Sequence, residues 1–247
     1  MDSYLDALKR RREEILDRME RALAKSGRAA SDAELMAVSK TVDVDAVDAA
    51  LRAGYRLFGE NRPQELARKV DALAVRDDLP PYRFDMIGNL QTNKINSVLG
   101  RDGLIHSVSS EKLACAVSER ASRAMGEGAL AGPQKVLLEV NVSGEESKSG
   151  FAPDELRARA DEIASLPGIE VEGLMTMAPQ GDPARARSTF SGLRELADEL
   201  ASQVPGLALH ELSMGMSEDF ELALEEGSTL VRLGRVVFDP QFSLEER

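Results

Sequence analysis

Short apolar runs alternate with longer segments of helical period along most of this chain, and this alternation constrains the fold more than any other feature. Parallel strands joined by crossover helices are typical of such a pattern. From Glu34 onward, the apolar runs end near Ser39, Gly59, Ile87, Val108, Asn141, Met175, Ser213 and Gly234. These eight strand ends predict a closed (β/α)8 barrel, an α/β fold of the TIM type.

Two further features bear on the domain organisation. The charged segment 3–26 precedes the first strand and carries apolar residues at helical spacing, so we expect an extra helix that plugs or flanks the barrel. No linker or low-complexity tract separates a second domain, and residues 1–247 are predicted to form one domain of a size usual for this barrel. The alternative is an open doubly wound sheet, but SKTVDVD stands where its glycine-rich fingerprint is expected.

Charge and composition exclude several classes of function. Asp and Glu outnumber Lys and Arg by 43 to 31, and there is no basic cluster to neutralise nucleic-acid phosphates. No run approaches the roughly 20 apolar residues that cross a bilayer, and the charged start of the chain lacks the apolar core of a secretory signal. His106 and His210 have no cysteine at metal-ligand spacing. We therefore expect a cytoplasmic monomer that binds no nucleic acid, membrane or zinc, with Cys115 as a small buried thiol.

In a (β/α)8 barrel, the functional residues lie at the C-terminal ends of the strands. The polar residues and glycines at those positions are Ser39, Lys40, Glu60, Asn61, Asn89, Ser109, Asn141, Thr176, Ser213, Gly215, Ser217, Arg232, Gly234 and Arg235. Lys40 directly follows the run LMAVS, where partial burial would lower the pKa of its amine and make it a nucleophile toward an aldehyde. The alternative is an ordinary surface lysine at a strand end.

The last two strands carry groups suited to a phosphate. The segment ELSMGMSEDFELALEEG predicts a strand, a glycine turn and a helix that begins near Ser217, and a helix N-terminus favours an anion. Ser217 is better interpreted as the N-cap of that helix, whereas the Ser213 hydroxyl is better interpreted as a ligand donor. Arg232 alternates with aliphatic neighbours and points into the barrel, so either a carboxylate or a ligand must face it. Gly234 shares its face and leaves room for a phosphate.

A lysine that traps an aldehyde, an inward arginine and a Ser/Gly phosphate cradle together describe a pyridoxal 5'-phosphate (PLP) site. Several stretches also resemble those of the PLP homeostasis proteins, whose fold is similar to the barrel domain of alanine racemases. The resemblance covers the chain from about Leu35 to Phe238, and the stretches are MAVSKTVDVDAVDAALRAGYRLFGENRPQE, IGNLQTNK, LEVNVSGEESKSGF, GLMTMAP, LSMGMSEDFELALEEGST and VRLGR.

The resemblance implies roles for particular residues. Lys40 would carry PLP as an internal aldimine, Arg232 would meet the pyridine nitrogen, and Asn61 matches a position near the ring. The groups implied to hold the phosphate are Ser213, Gly234 and the backbone N–H of Arg235. The chain departs from the family twice: it has Phe84, Asp85 and Met86 where a Trp-His-Phe-like run is usual, which bears on pocket shape, and Arg235 where a Thr is usual, which bears on the phosphate contact.

Three functions follow from these observations: a PLP carrier, a PLP-dependent racemase, and a phosphate-binding enzyme without PLP. The first, implied by the resemblance, is a non-catalytic carrier or regulator of PLP, with PLP-dependent apo-enzymes as possible partners. An arginine at the ring nitrogen supports it, because the positive charge disfavours protonation of the ring and weakens it as an electron sink. The third is a phosphate-binding metabolite enzyme on the same barrel without PLP.

The second function is a PLP-dependent amino-acid racemase, which needs a base on each face of the substrate α-carbon. Alanine racemases take their second base, a tyrosine, from a β-rich domain across a dimer interface, and this chain ends seven residues after Pro240. Its three tyrosines, Tyr4, Tyr55 and Tyr82, do not fall at predicted strand ends. The carrier is therefore the favoured interpretation.

Overall fold

Eight parallel strands close into one barrel in the computed structural model, which describes residues 3–239, 241 and 242. Each strand pairs with the next, and β8 pairs with β1, which closes the ring. The strands are β1 (Glu34–Val38), β2 (Leu57–Glu60), β3 (Arg83–Met86), β4 (Ile105–Val108), β5 (Gln134–Glu139), β6 (Ile169–Met175), β7 (Glu211–Ser213) and β8 (Leu230–Leu233). The predicted (β/α)8 barrel is confirmed, and the doubly wound sheet is wrong.

Helices fill most of the connections between strands. They are α1 (Tyr4–Lys25), α2 (Val44–Arg52), α3 (Pro63–Ala74), α4 (Glu111–Gly126), α5 (Pro153–Ala164), α6 (Pro183–Gln203), α7 (Phe220–Glu225) and α8 (Arg235–Phe238). The connection between β3 and β4 differs, because a 3₁₀ helix, Thr92–Ser97, replaces an α-helix. Its sequence TNKINS buries only Ile95, so it offers no apolar stripe along which a longer helix could pack.

Helix α1 flanks the barrel. It packs against α7, α2 and α8 on the outside, so the prediction of an extra N-terminal helix is confirmed and the plugging alternative is wrong. Its ends are marked by Ser3, whose hydroxyl accepts the Asp6 N–H, and by Ser26. Two ion pairs fasten it to α7, one from Arg18 and one from Lys25.

One side-chain prediction on the outer helices is wrong. Cys115 is exposed, because the buried face of α4 is formed by Leu113, Ala114 and Val117, and the intervening positions turn toward solvent. Among the described residues, no helix is long and apolar enough to cross a membrane. The predicted domain 1–247 extends at positions 1, 2, 240 and 243–247 beyond the described residues.

Candidate functional site

A cavity of about 790 Å³ opens where the strands end, a volume within the range of ligand pockets. Five of the six predicted site residues line it; Ser213 does not. The polar and charged residues and the glycine that line it include Lys25, Lys40, Asn61, Ser217, Glu218, Asp219, Glu221, Glu225, Arg232, Gly234 and Arg235, together with Met216 and with Asp182 from the loop after β6. The structure thus brings together residues from both ends of the sequence, because β1 and β8 are neighbours.

Lys40 follows β1 at the mouth of the cavity. Its side chain is exposed, so the expected partial burial is wrong. The preceding residue, Ser39, is completely buried, and its backbone N–H donates to Gly59 O on β2 at 2.9 Å. The backbone beside Lys40 is therefore fixed, while its amine is accessible to a ligand entering from solvent.

A buried ion pair lies directly behind Lys40, and sequence reasoning missed it. Lys69 on α3 donates to Glu60 Oε2 at 2.9 Å and to Ser39 O at 2.7 Å, and both side chains are 1% exposed. Glu60 Oε1 accepts the backbone N–H of Asn61 at 3.3 Å. The sequence held a signal, because Lys69 lies on the same helical face as Leu66 and Leu73, where an apolar residue is expected.

Asn61 follows β2, the neighbour of β1, and lines the cavity beside Lys40. Its side-chain oxygen is buried and has no hydrogen-bond partner among residues 3–239, 241 and 242. Gly88 packs against its backbone so closely that an added Cβ would meet Asn61 O at 2.2 Å, which fixes the loop in place. A buried amide with an unused atom at a cavity wall is suited to a polar ligand group.

Arg232 forms the floor of the cavity. Its Nη1 donates to Ser213 O at 2.6 Å and to Ser213 Oγ at 2.5 Å, and its Nη2 donates to Thr176 O at 2.9 Å. In the described part of the chain, no carboxylate lies within ion-pair distance of it. Burial lowers the pKa of Arg232 to about 10, so the guanidinium remains charged at neutral pH.

The arrangement leaves capacity for a ligand. A guanidinium has five N–H donors, and the described protein atoms take three of those of Arg232. Of the two partners that the sequence left open for this inward charge, no carboxylate of the described residues lies within ion-pair distance, and Arg232 is among the residues that line the cavity. An acceptor atom on a ligand would take a hydrogen bond from one of the remaining N–H groups of Arg232.

Ser213 lies beneath the cavity and not on its wall. It is completely buried, and its hydroxyl is engaged by Arg232 and by His106 Nδ1 at 2.9 Å. Both ring nitrogens of His106 have partners, since its Nε2 lies 3.1 Å from Asp85 Oδ2. The departing residues Phe84, Asp85 and Met86 are likewise buried in β3 and do not line the cavity. Asp85 reaches the barrel interior, where it contacts His106, while Phe84 and Met86 belong to the apolar core shared with the helices.

Ser217 lines the cavity instead, and its predicted capping role is wrong. Helix α7 begins at Phe220, because residues 216–219 form a turn in which Asp219 Oδ1 accepts the Met216 N–H at 2.6 Å. The Ser217 hydroxyl accepts the Val236 N–H at 3.4 Å and keeps its own hydrogen for another partner. The predicted helix N-terminus at Ser217 therefore does not exist, while the hydroxyl is available at the cavity wall.

Gly234 and Arg235 complete the wall after β8. A Cβ at Gly234 would meet only Val38, at 3.4 Å, so the protein itself does not require glycine there. The Arg235 guanidinium lies at the rim, 2.7 Å from Glu218 and 5.5 Å from the centre of the Phe242 ring. Its charge is therefore largely matched within the protein.

The carboxylates of the cavity wall all have partners. Asp182 accepts the Arg185 N–H, Asp219 accepts the Met216 N–H, and Glu218 pairs with Arg235. Glu221 pairs with Arg18, and Glu225 pairs with Lys25. No histidine or tyrosine of the described residues lines the cavity.

Comparison with known proteins agrees with this geometry. The family model described as alanine racemase, N-terminal domain, matches residues 15–240. The pyridoxal phosphate homeostasis protein of Aquifex aeolicus is 40% identical over 225 residues, 91% of this chain and 94% of that protein. The structure of PipY from Synechococcus elongatus PCC7942 with PLP bound superposes with a TM-score of 0.75 at 35% identity, covering 89% of this chain and 99% of PipY.

More distant structures share the fold alone. The alanine racemase of Corynebacterium glutamicum is 18% identical, with a TM-score of 0.68, and the match covers 98% of this chain and 63% of the racemase. The level of identity to the nearer relatives, sustained over nine-tenths of this chain, is decisive. The chain belongs to the pyridoxal phosphate homeostasis proteins, within the alanine racemase N-terminal domain family.

Proposed function

We propose that this chain binds PLP in the cavity at the strand ends, holds it on Lys40, and serves in PLP homeostasis as a carrier without catalytic turnover. The observation that carries the proposal is Arg232, a buried cation without a carboxylate partner among the described residues, at the floor of a cavity whose mouth holds Lys40. Relatives named as pyridoxal phosphate homeostasis proteins, and one solved with PLP bound, support the same ligand.

The residues present fit the functional groups of PLP. When bound, PLP supplies an aldehyde that condenses with a primary amine, releasing water, and a ring that can draw electrons from the resulting C=N bond. Lys40 supplies the amine. Arg232 is a pure donor, so it pairs with the ring nitrogen only while that nitrogen is an unprotonated acceptor.

The phosphate is assigned to the wall formed after β7 and β8. Ser217 offers a hydroxyl hydrogen there, and Gly234 and the backbone of Arg235 lie beside it. We move the predicted serine contact from Ser213 to Ser217, since the Ser213 hydroxyl is enclosed by Arg232 and His106. Asn61 is left to contact a polar substituent of the ring with its unused amide atom.

Two features argue against a racemase. Racemisation needs a second base opposite Lys40, and the carboxylates of the wall are engaged by the partners given above. An arginine at the ring nitrogen also keeps the ring unprotonated, which weakens its capacity to stabilise a carbanion. At 18% identity, the likeness to the alanine racemase of Corynebacterium glutamicum supports the shared fold alone.

An exposed Lys40 suits a carrier. A free amine from solvent reaches the cavity mouth and can displace the lysine from the cofactor, which releases PLP without a conformational change. We propose that PLP-dependent apo-enzymes receive it and that the chain acts as a monomer. Size-exclusion chromatography with light scattering tests the oligomeric state directly.

An absorption spectrum tests the proposed ligand. The protein purified with PLP should show a visible band that borohydride abolishes, and peptide mapping should then find the reduced pyridoxyl group on Lys40. A colourless protein that does not bind added PLP would overturn the proposal. Exchange of the alanine α-proton in heavy water tests turnover, and a rate near that of ordinary enzymes, on the order of 10 per second, would contradict the carrier.

A further inference from the structure

Hydrogen-bonded side chains cross the interior of the barrel beneath the cavity. Arg232 on β8 donates to Ser213 Oγ on β7, which lies 2.9 Å from His106 Nδ1 on β4. His106 Nε2 in turn lies 3.1 Å from Asp85 Oδ2 on β3. Asp85, His106 and Ser213 are completely buried. This series, called the barrel chain below, joins the cavity floor to the opposite side of the barrel.

The barrel chain ends at a charged surface residue. Arg83, the first residue of β3, places its Nε 3.0 Å from Asp85 Oδ1, and its side chain is 42% exposed at the N-terminal end of the barrel. Arg83 Nη2 also donates to Asp85 Oδ2 at 3.2 Å, the oxygen that lies 3.1 Å from His106 Nε2. Arg83 thus balances the Asp85 charge, and Oδ2 accepts from both the guanidinium and the imidazole.

The donors and acceptors allow one consistent order of protons. Arg232 can only donate, so Ser213 Oγ accepts from it and must send its own hydrogen elsewhere. The nearest acceptor is His106 Nδ1, which places the ring proton on Nε2, where it is donated to Asp85. Burial lowers the pKa of His106, which favours this neutral ring.

The position of the His106 ring proton determines whether Ser213 Oγ can accept a hydrogen bond from Arg232. With His106 Nδ1 as an acceptor, the Ser213 hydroxyl cannot turn its hydrogen toward Arg232, and its lone pairs face the guanidinium. If His106 were to carry its proton on Nδ1 instead, Ser213 would receive two donors and its own hydrogen would have no partner. Asp85 prevents this because it accepts a hydrogen bond from the Nε2–H and so keeps the ring proton on that nitrogen.

We propose that Asp85 and His106 are positioning residues for Arg232: by fixing the Ser213 hydroxyl as an acceptor, they hold the guanidinium with its free N–H groups aimed at the ring nitrogen of PLP. The inference rests on the proposed PLP site. Neither residue touches the ligand, since neither lines the cavity.

Other charged groups face the two ends of the barrel chain. Asp102 and Glu211 lie near Asp85, and burial raises the pKa of both. Glu139 and Asp219 face Arg232, and burial raises the pKa of these carboxyls as well. Within the described residues, none of the four lies at ion-pair distance from Arg232 or His106, so the guanidinium is held by Ser213 Oγ together with the backbone oxygens of Ser213 and Thr176.

The test compares PLP with its analogue in which CH replaces the ring nitrogen. The parent protein should bind PLP about tenfold more tightly than the analogue, the effect of one hydrogen bond to a charged group. In Asp85→Asn, this preference should fall below about threefold, because PLP affinity drops while analogue affinity is unchanged. A merely structural defect would weaken both ligands equally.

Asp102→Asn is the matched control. It makes the same carboxyl-to-amide change in a buried residue at the same end of the barrel, but both Asp102 oxygens lack a hydrogen-bond partner in the described structure. It should therefore keep the full preference for PLP. Ser213→Ala provides a second variant that removes the side-chain acceptor of Arg232 with little change in volume and leaves the two backbone acceptors in place. It reports on the barrel chain even if Asp85→Asn fails to fold.

A measurement without ligand tests the proton order itself. The chain has only two histidines, and the described structure leaves the other, His210, exposed, so ring ¹⁵N shifts of histidine-labelled protein are readily assigned. Near pH 7, His106 should be neutral with its proton on Nε2, and Asp85→Asn should move proton population to Nδ1.

The outcomes separate the two proposals. If the parent protein binds neither ligand, the PLP site is wrong; if it binds both equally, Arg232 does not meet the ring nitrogen. If the parent prefers PLP and Asp85→Asn and Ser213→Ala retain that preference, the positioning role is refuted while the PLP site stands. An Nδ1-protonated His106 in the parent protein would also refute it.

Discussion

The Lys69 ammonium joins two strand ends by contacting both Glu60 Oε2, at 2.9 Å, and the Ser39 carbonyl oxygen, at 2.7 Å. Glu60 precedes Asn61 and Ser39 precedes Lys40, so a single buried side chain on α3 sets the spacing between two proposed ligand-binding residues. A buried pair of this kind also carries a penalty when one partner is removed, because the other charge remains desolvated.

Replacing Lys69 tests this relationship. Lys69→Met keeps the length of the side chain but leaves Glu60 buried and unpaired, and we expect it to lower the free energy of unfolding by about 3 to 5 kcal/mol. The neighbouring Arg68→Met is the control, since its pair with Glu65 is exposed to solvent and its loss should change stability little. Urea denaturation followed by circular dichroism measures both. Equal losses in the two variants would contradict the assignment.

Lys40 and Lys25 provide a matched pair of lysines on one cavity. Lys40→Ala should abolish the visible band, while PLP still binds without a covalent bond because Arg232 and the phosphate wall remain. Lys25→Ala should leave the band in place, since Lys25 is engaged by Glu225 at 2.8 Å. Borohydride reduction and peptide mapping decide between them, and a pyridoxyl group on Lys25 in the parent protein would reject the assignment to Lys40.

Arg235 and Gly234 are expected to differ in their effect on PLP affinity. Arg235→Thr removes a guanidinium that is matched by Glu218 at the rim, so affinity should change by less than about tenfold, or 1.4 kcal/mol. Gly234→Val should cost more, because its methyl groups would occupy the wall where we place the phosphate. The apoprotein should tolerate a side chain at this position, as only Val38 lies near an added Cβ.

Titrations with PLP at low and high salt measure both variants. If Arg235→Thr binds PLP far more than tenfold more weakly than the parent, and high salt reduces this difference in affinity, then Arg235 contacts the phosphate directly. Unfolding of the Gly234→Val apoprotein provides the control for stability.

Glu211 should make stability fall as the pH rises through mildly acidic values. Burial raises the pKa of its carboxyl to about 6 in the folded protein, so the folded state binds more protons than the unfolded state between the unfolded value and pH 6. Stability from this group is therefore complete below that window and is lost above it. Because Glu211 is partly exposed, we expect a loss of only about 1 kcal/mol after solvent screening.

Glu211→Gln isolates this effect from that of Asp102, whose pKa burial also raises. The variant should be more stable than the parent at pH 7 and lose that advantage toward pH 4.5. Unfolding free energies at several pH values test it, and parallel curves for the two proteins would contradict the prediction.

The sequence predicted the barrel well because its strands have a local signature. Every predicted strand end falls within two residues of the observed one, since runs such as LMAVS are bounded by polar residues that also face the cavity. The N-caps Asp43 and Ser110 are equally local, because each side chain accepts an N–H three residues later in its own segment.

The site was predictable where a residue follows a strand and not where two strands must meet. Lys40 and Arg232 are found from alternation and position, but the engagement of Ser213 by His106 joins β4 to β7 and leaves no trace in either segment. Ser217 was misassigned because a turn closed by Asp219 has the same residue types as a capped helix start. Lys69 was missed although its position on the apolar face of α3, with Leu66 and Leu73, indicates a buried charge.

Barrel closure through β1 and β8 has a consequence for biosynthesis. A ribosome releases Lys40 early and Arg232 late, so a nascent chain exposes its amine long before the guanidinium and the phosphate wall exist. With PLP held by Lys40 and Arg232 as proposed, stable loading with cofactor requires that the last strand has been made and that β1 and β8 have paired.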